Sequence, residues 1–214
     1  MAELTVAAGI MANLANDMRH LQRSEIAEVH EKFEAGQTGS STMAQKKNPI
    51  NFENVVSLSK QVLAQSVNVN QNLSSEHQRD LTDSASARFY TIAFACVASM
   101  ASRLNGAMAK LEVDTEAMQR NLKLSGGAIA AEPLYLLFEK YGHTEAHEKS
   151  KALAHTALEA GKPLVEVIAA DAEAASYWQK FTETEKQIIE APELHYTGLA
   201  AQKTHDINQK WSNS

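Results

Sequence analysis

The sequence Gly39-Ser40-Ser41-Thr42-Met43-Ala44-Gln45-Lys46-Lys47-Asn48-Pro49 joins two long segments in which apolar residues recur every three or four positions. That spacing predicts an amphipathic helix on each side of it. A plain connection between two helices needs no pair of serines, no lysine and no asparagine. The stretch is therefore where chemistry is to be sought, and the helices around it predict the fold.

The long segments predict three helices. The first runs from Met1 to Phe33 and ends at Gly36. Asn48 as N-cap and Pro49 at the first helical position start the second helix at Ile50. Capping residues at Asp80, Thr82 and Asp83 precede a third helix that extends from about Ser84 to Leu111.

Shorter segments follow, and turns become more frequent. Helices are predicted at about 114–123, 128–141, 144–160, 163–170, 173–180, 183–190 and 198–211. No strand-like alternation persists. The prediction is an all-α protein, with a partial central helical bundle at 1–112 that carries a flexible catalytic loop at 36–49, and a small all-helical C-terminal domain at 113–214.

Composition limits the possible partners. The net charge of −6 disfavours nucleic acid and anionic membranes as partners. The single cysteine, Cys96, excludes an intrachain disulfide and is expected to be a buried thiol. No membrane span or secretory signal is recognisable, so the cytoplasm is the expected location. The chain opens inside a helical pattern without a cap, which predicts a longer parent upstream; a frayed native N-terminus is the alternative.

The loop has groups suited to removing a proton. A serine becomes a useful base only in a water-poor pocket beside positive charge, and Lys46 offers such a charge. Lys46 and Asn48 can also hold a carboxylate, and free N–H groups at the helix start attract anions. The alternative is a polar joint whose residues serve only as caps.

A second group of residues fits a phosphate. Ser84 and Arg88 are four positions apart, which predicts that they share a helix face, with Arg79 just before the helix start. Two guanidinium groups and a hydroxyl at a helix N-terminus form a phosphate cradle. The alternative is a solvated surface on which these arginines pair with Asp80 or Asp83.

Both motifs resemble one superfamily. Gly39 to Pro49 resembles the S-S-x-M-P-x-K-x-N-P loop of the fumarase/aspartase superfamily. Ile50 to Asn54, Gln78 to Ser84, Leu111 to Val113 and Ala131 to Pro133 resemble the adenylosuccinate lyase family in particular. The likeness extends from the first helix to about Lys151 and suggests the C-terminal half of such a lyase.

The resemblance implies roles for individual residues. It implies β-elimination of fumarate from adenylosuccinate, giving AMP, and from the purine intermediate SAICAR, giving AICAR, with no metal or redox cofactor and in a homotetramer whose sites combine several subunits. Ser40 would be the general base. The substrate-binding residues would be Ser41, Lys46, Lys47, Asn48, Asn54, Arg79, Ser84, Ala85, Ser86, Ala87 and Arg88.

The sequence departs from the family pattern in two ways. Ala44 replaces the usual loop proline, and family members are about twice as long, with their general-acid histidine upstream of this chain's start. The eight histidines here are interpreted as surface or core residues: His20, His30, His77, His143, His147, His155, His195 and His205. The chain alone is therefore expected to be inactive. Argininosuccinate lyase, a carboxymuconate-type cycloisomerase and a non-catalytic helical assembly module remain as alternatives.

Overall fold

A computed structural model describes residues 1–32, 48–78, 81–125 and 127–212 of the chain. The chain divides into two compact units, Met1–Gln119 and Arg120–Ser214. The predicted all-α class is confirmed: within the described residues, helices dominate and one two-stranded sheet accompanies them. The predicted domain assignment at 1–112 and 113–214 stays a prediction.

Three long helices form the first unit: α1 (Ala2–Leu21), α2 (Ile50–Gln71) and α3 (Tyr90–Met108). Each contributes one apolar stripe to a shared core, as the spacing of apolar residues predicts. Phe52, Val62 and Met100 are fully buried there. Cys96 is a buried free thiol in the same core, as predicted.

The first helix ends earlier than predicted. After α1 the chain turns, and Ala27 takes a left-handed backbone conformation (φ 54°) that no α-helix allows. Val29–Glu31 then forms strand β1, which pairs antiparallel with β2 (Leu111–Val113). The expectation that strands are absent is wrong. The alternation in β1 was hidden because one of its two buried residues, Glu31, is a carboxylate.

The third helix also differs from its prediction. Ser84 lies in a turn, Ser86–Phe89 forms a 3-10 helix, and α3 begins only at Tyr90. No side chain caps either start. The predicted C-terminal end at Leu111 is wrong as well, because this residue pairs with Glu31 in the sheet.

The remaining helices lie close to their predicted positions. α4 (Thr115–Lys123) starts in the first unit, where Asp114 Oδ1 accepts the N–H of Ala117 at 2.8 Å. The others are α5 (Ala131–Lys140), α6 (Ala146–Ala160), α7 (Leu164–Ala170), α8 (Ala172–Trp178), α9 (Glu183–Glu190), α10 (Pro192–His195) and α11 (Ala200–Ser212). The four-residue helix α10 was not predicted.

The second unit packs α5 to α9 around Phe138, which is fully buried. Gly142 follows α5 in the left-handed conformation (φ 83°), and the next N–H, of His143, bonds the carbonyl of Phe138 at 2.9 Å. That geometry is the glycine C-cap that the sequence predicted.

Candidate active site

The start of α2 is held by a residue distant in sequence. Glu31 is 6% exposed, and its carboxylate accepts hydrogen bonds from the backbone N–H of Phe52 at 3.0 Å and from Asn51 Nδ2 at 3.0 Å. The N–H of Asn51 adds a longer bond of 3.4 Å. The prediction that Asn48 caps this helix is wrong, because Pro49 occupies the N-cap position and Glu31 satisfies the free donors.

The hydrogen bonds at the start of α2 also decide whether its backbone N–H groups can bind an anion. The N–H groups of Ile50 and Glu53 bond the carbonyls of Asn48 and Pro49, each at 2.9 Å. The first turn of α2 therefore has no free N–H group, and a carboxylate already neutralises its partial positive charge. The expectation that this helix start attracts a substrate anion is wrong. Any ligand contact near it must come from side chains.

A cavity of about 390 Å³ lies beside this helix start. Asn51 Oδ1 forms one wall and accepts a hydrogen bond from Arg103 Nη1 of α3 at 3.3 Å. Its lining residues are Glu31, Lys32, Asn51, Ser102, Arg103, Gly106, Ala107 and Lys110. Lys32, Arg103 and Lys110 are cationic and Glu31 alone among the lining residues is acidic, so positive charge predominates in the cavity.

The segment predicted to hold a phosphate lies in the turn and the 3-10 helix before α3. Ser84, Ala85 and Arg88 are exposed, whereas Ser86 and Ala87 are half-buried. A 3-10 turn has three residues, so a spacing of four does not bring Ser84 and Arg88 onto one face. The prediction of a shared α-helical face is wrong, although the residues remain on one short segment.

Two asparagines, Asn68 of α2 and Asn72 at its C-cap, hold this segment. Asn72 Nδ2 donates to Ser86 Oγ at 2.8 Å and also contacts the hydroxyl of Tyr90. Asn68 Nδ2 donates to the carbonyl of Ser86 at 3.1 Å. The sequence analysis did not identify either residue. Their four-residue spacing was the available signal.

The described members of the two groups of predicted site residues lie at opposite ends of α2. Asn54 is half-buried in its second turn, while Asn68 and Asn72 hold Ser86 at the other end. Fourteen residues of helix separate Asn54 from Asn68, which corresponds to about 21 Å. One copy of the described chain does not bring these residues to a common cavity.

The other predicted residues lie outside the part of the chain that the structure describes. They are Ser40, Ser41, Lys46, Lys47 and Arg79. Gly36, Ala44 and Asp80, named in the sequence analysis, are outside it as well.

The second unit contains two polar networks. Glu185 accepts hydrogen bonds from Lys140, from the Tyr141 hydroxyl at 2.9 Å and from the N–H of Thr182 at 2.8 Å. The bond from Lys140 is the main cause that lowers the pKa of Glu185 to about 2. This network ties the start of α9 to the end of α5 and has the character of a structural cap.

The second network surrounds His143, which is 7% exposed and stacks on Phe138. His143 Nδ1 accepts the N–H of Glu145 at 3.1 Å, and Nε2 lies 3.4 Å from Glu173. Lys149 joins Glu173 to Asp171 through contacts of 2.9 and 2.8 Å. These bonds, with Asp171 the largest cause, raise the pKa of Lys149.

The described residues contain no group of three or more His, Cys, Asp or Glu side chains placed to hold a metal ion. No helix in the described ranges is both long and apolar enough to cross a bilayer.

Sequence comparison identifies related proteins. A family model described as "Adenylosuccinate lyase C-terminal" matches residues 75–186, and one described as "Lyase" matches residues 1–64. Adenylosuccinate lyase of Pyrococcus abyssi is 38% identical over 177 residues, covering 81% of this chain and 39% of that protein. Adenylosuccinate lyase of Pyrococcus horikoshii is 35% identical over 200 residues, covering 92% and 43%. The chain thus spans less than half the length of these relatives.

Structure comparison gives the same fold. The crystal structure of 3-carboxy-cis,cis-muconate lactonizing enzyme from Pseudomonas putida superposes with a TM-score of 0.76 at 25% identity, covering 92% of this chain and 44% of that one. The first family model covers more than half of the 214 residues and includes Ser84 to Arg88. With both its sequence motifs and its helical architecture in agreement, the chain belongs to the adenylosuccinate lyase family of the fumarase/aspartase superfamily.

Proposed function

We propose that this chain supplies binding and catalytic residues of an adenylosuccinate lyase, which releases fumarate from adenylosuccinate to give AMP and from SAICAR to give AICAR. The observation that carries the proposal is the match to the adenylosuccinate lyase family over the segment that includes Ser84 to Arg88. Relatives that bear this name are 35% and 38% identical. The substrates of the alternative lyases lack a phosphate, so an exposed Arg88 on this segment favours a nucleotide.

The two ends of α2 have different roles in this proposal. Asn48 and Asn54, with Ser41, Lys46 and Lys47, hold the succinyl group. Ser84 to Arg88, with Arg79, hold the phosphate. Ser40 removes the proton from the succinyl carbon next to a carboxylate, the C–N bond breaks, and a histidine outside these 214 residues protonates the leaving nitrogen. No metal or redox cofactor takes part.

We further propose that subunits combine to complete each site. The separation of about 21 Å between Asn54 and Asn68 is too great for the succinyl and phosphate groups of one substrate to be held by one copy. Large apolar side chains on α1 and α3 are exposed, Ile10 by 65% and Phe94 by 60%, and would be covered by other copies. A homotetramer located in the cytoplasm fits this arrangement.

The test uses a chimera in which this chain replaces the matching portion of the Pyrococcus abyssi enzyme. The chimera should convert adenylosuccinate, followed by ultraviolet absorbance, whereas the 214-residue chain alone should not. Elimination of argininosuccinate without any turnover of adenylosuccinate would contradict the substrate assignment. Turnover by the chain alone would contradict the assignment of the general acid to another segment.

Two substitutions in the chimera separate the roles. Ser40→Ala should lower kcat by ~10²–10⁴, the usual contribution of general base catalysis. Arg88→Ala should mainly raise KM. Arg23→Ala is a matched control, because Arg23 is an exposed arginine of the same unit that pairs with Glu25 on the surface. An unchanged kcat in the first variant, or an unchanged KM in the second, would remove that residue from its role.

A further inference from the structure

Glu31 has contacts that join the strand before the predicted catalytic loop to the helix after it. It is the last residue of β1, and its backbone N–H donates to Gln22 Oε1 at 3.0 Å. Leu111 of β2 pairs with it in the sheet. The backbone of Glu31 is therefore fixed independently of α2, so that its carboxylate acts on α2 from a rigid support.

The carboxylate determines where α2 begins. A buried carboxylate without donors would be costly, and within the described part of the chain Asn51 and Phe52 supply three donors to it. Asn51 is held a second time through the 3.3 Å bond from Arg103. The first turn of α2 is thus connected to both β1 and α3.

Asn48 is tied to that first turn. Its carbonyl accepts the N–H of Ile50 at 2.9 Å, and Pro49 accepts the N–H of Glu53 at the same distance. A shift of the helix start therefore displaces Asn48 by a similar amount. Misplacement of a substrate-binding group by about 1 Å can cost ~10²-fold in rate.

We infer that Glu31 is a positioning residue for the reaction: through Asn51 and Phe52 it sets the location of Asn48 relative to the succinyl group. This inference rests on the proposed function. A positioning role differs from a purely stabilising one. If Glu31 only stabilised the fold, its loss would not weaken binding of the succinyl part of the substrate more than binding of the phosphate part. Glu31 itself touches no substrate in this assignment.

The test is Glu31→Gln in the chimera described above. The amide keeps the size of the side chain but replaces one acceptor oxygen with a donor that faces the donors of Asn51 and Phe52. We expect kcat/KM to fall by about 10–100-fold and the inhibition constant of fumarate to rise about 10-fold. The inhibition constant of AMP should stay within about twofold, because Ser84 to Arg88 lie at the far end of α2.

Glu185→Gln is the matched control. Glu185 is also a buried carboxylate, 8% exposed, that accepts a backbone N–H at a helix start, but it belongs to the second unit, which contains none of the predicted site residues. It should lower thermal stability to a similar extent and leave both inhibition constants unchanged. Equal effects of the two substitutions on fumarate inhibition would overturn the inference.

A second variant covers the case in which Glu31→Gln fails to fold. Asn51→Ala removes the side-chain bonds to Glu31 Oε2 and from Arg103 but keeps the carboxylate and its bonds from the backbone N–H groups at positions 51 and 52. It should produce a smaller change in fumarate inhibition in the same direction, and an unchanged constant would overturn the inference. An unmodified chimera without activity would instead reject the proposed function, and this inference with it.

Discussion

The carboxylate of Glu31 accepts the backbone N–H of Phe52 across a gap of 21 residues in the sequence. The start of α2 therefore depends on a tertiary contact and not only on the residues next to it in the sequence. Helix starts are usually identified from nearby Ser, Thr, Asp or Asn residues. Here the capping group comes from a strand, which also explains why the helix tolerates a proline at its N-cap position.

Asn72 is expected to support phosphate binding. Asn72→Ala removes the bonds to Ser86 Oγ and to the Tyr90 hydroxyl, so the bond from Asn68 is left to hold Ser86 at this end of α2. In the chimera, the inhibition constant of AMP should rise several-fold and that of fumarate should not change. Ser59→Ala on the same helix is the control, because its hydroxyl bonds only the nearby carbonyl of Val56. A rise in the fumarate constant instead would contradict the assignment of this end of α2.

Glu185 is expected to make the second unit sensitive to acid. Its pKa is lowered from 4.5 to about 2, so the ionised form is favoured by folding. The contribution of the ionised Glu185 carboxylate to the free energy of unfolding is fully present above about pH 4.5 and is lost as the pH falls toward 2. Glu185→Gln should cost ~2 kcal/mol in the free energy of unfolding at pH 7.

Urea denaturation at a series of pH values checks this prediction. The difference between the parent chain and Glu185→Gln should be constant near neutrality and should shrink below pH 4.5, as the parent's carboxylate becomes protonated. A difference that persists at pH 2 would contradict the prediction.

Ser150 is expected to be a position where substitution is tolerated or stabilising. It is 2% exposed, and its Oγ has no hydrogen-bond partner among the residues that the structure describes. Ser150→Ala should leave the free energy of unfolding unchanged or raise it by about 1 kcal/mol, because a buried unpaired hydroxyl is unfavourable. Ser176→Ala is the control, since its hydroxyl is exposed and bonds the carbonyl of Glu173. Thermal unfolding of the 214-residue chain measures both, and a marked loss of stability in Ser150→Ala would show that the hydroxyl has a partner.

Lys149 is expected to contribute more to the free energy of unfolding than an ordinary surface lysine does. It bridges Asp171 and Glu173, and Lys149→Met would leave these two carboxylates without the shared cation. We expect Lys149→Met to lower the free energy of unfolding, measured by urea denaturation, by about 1 kcal/mol, and we expect this loss to become smaller at high salt. Lys186→Met is the control, because Lys186 pairs with a single, strongly exposed carboxylate three residues away. Equal losses for the two variants would contradict the prediction.

Much of the helical architecture could be predicted because its signals are local. Pro49 and the apolar spacing after it placed the start of α2 at Ile50. Gly142 marked the end of α5 through its backbone freedom. In each case the signal is the backbone conformation that the residue type itself favours or permits, so no knowledge of the tertiary structure was required.

The features that could not be predicted depend on distant partners. β1 has three residues and pairs with a strand about eighty positions away, so its pattern is too short to be recognised. Asn48 and Arg88 were predicted as site residues from their residue types and spacing, and the resemblance to the family implies the same roles. Their supports, Glu31 and Asn72, were missed because buried polar contacts between elements leave no periodic pattern.

The length of α2 has a consequence for protein engineering. Because its two ends serve different parts of the proposed substrate, one residue inserted into its middle would rotate one end by about 100° relative to the other. Seven inserted residues would nearly restore the angle yet lengthen the rod by about 10 Å. The number of residues in α2 thus fixes both the separation and the relative rotation of its two ends. Side chains in its middle can therefore be exchanged far more readily than residues can be added.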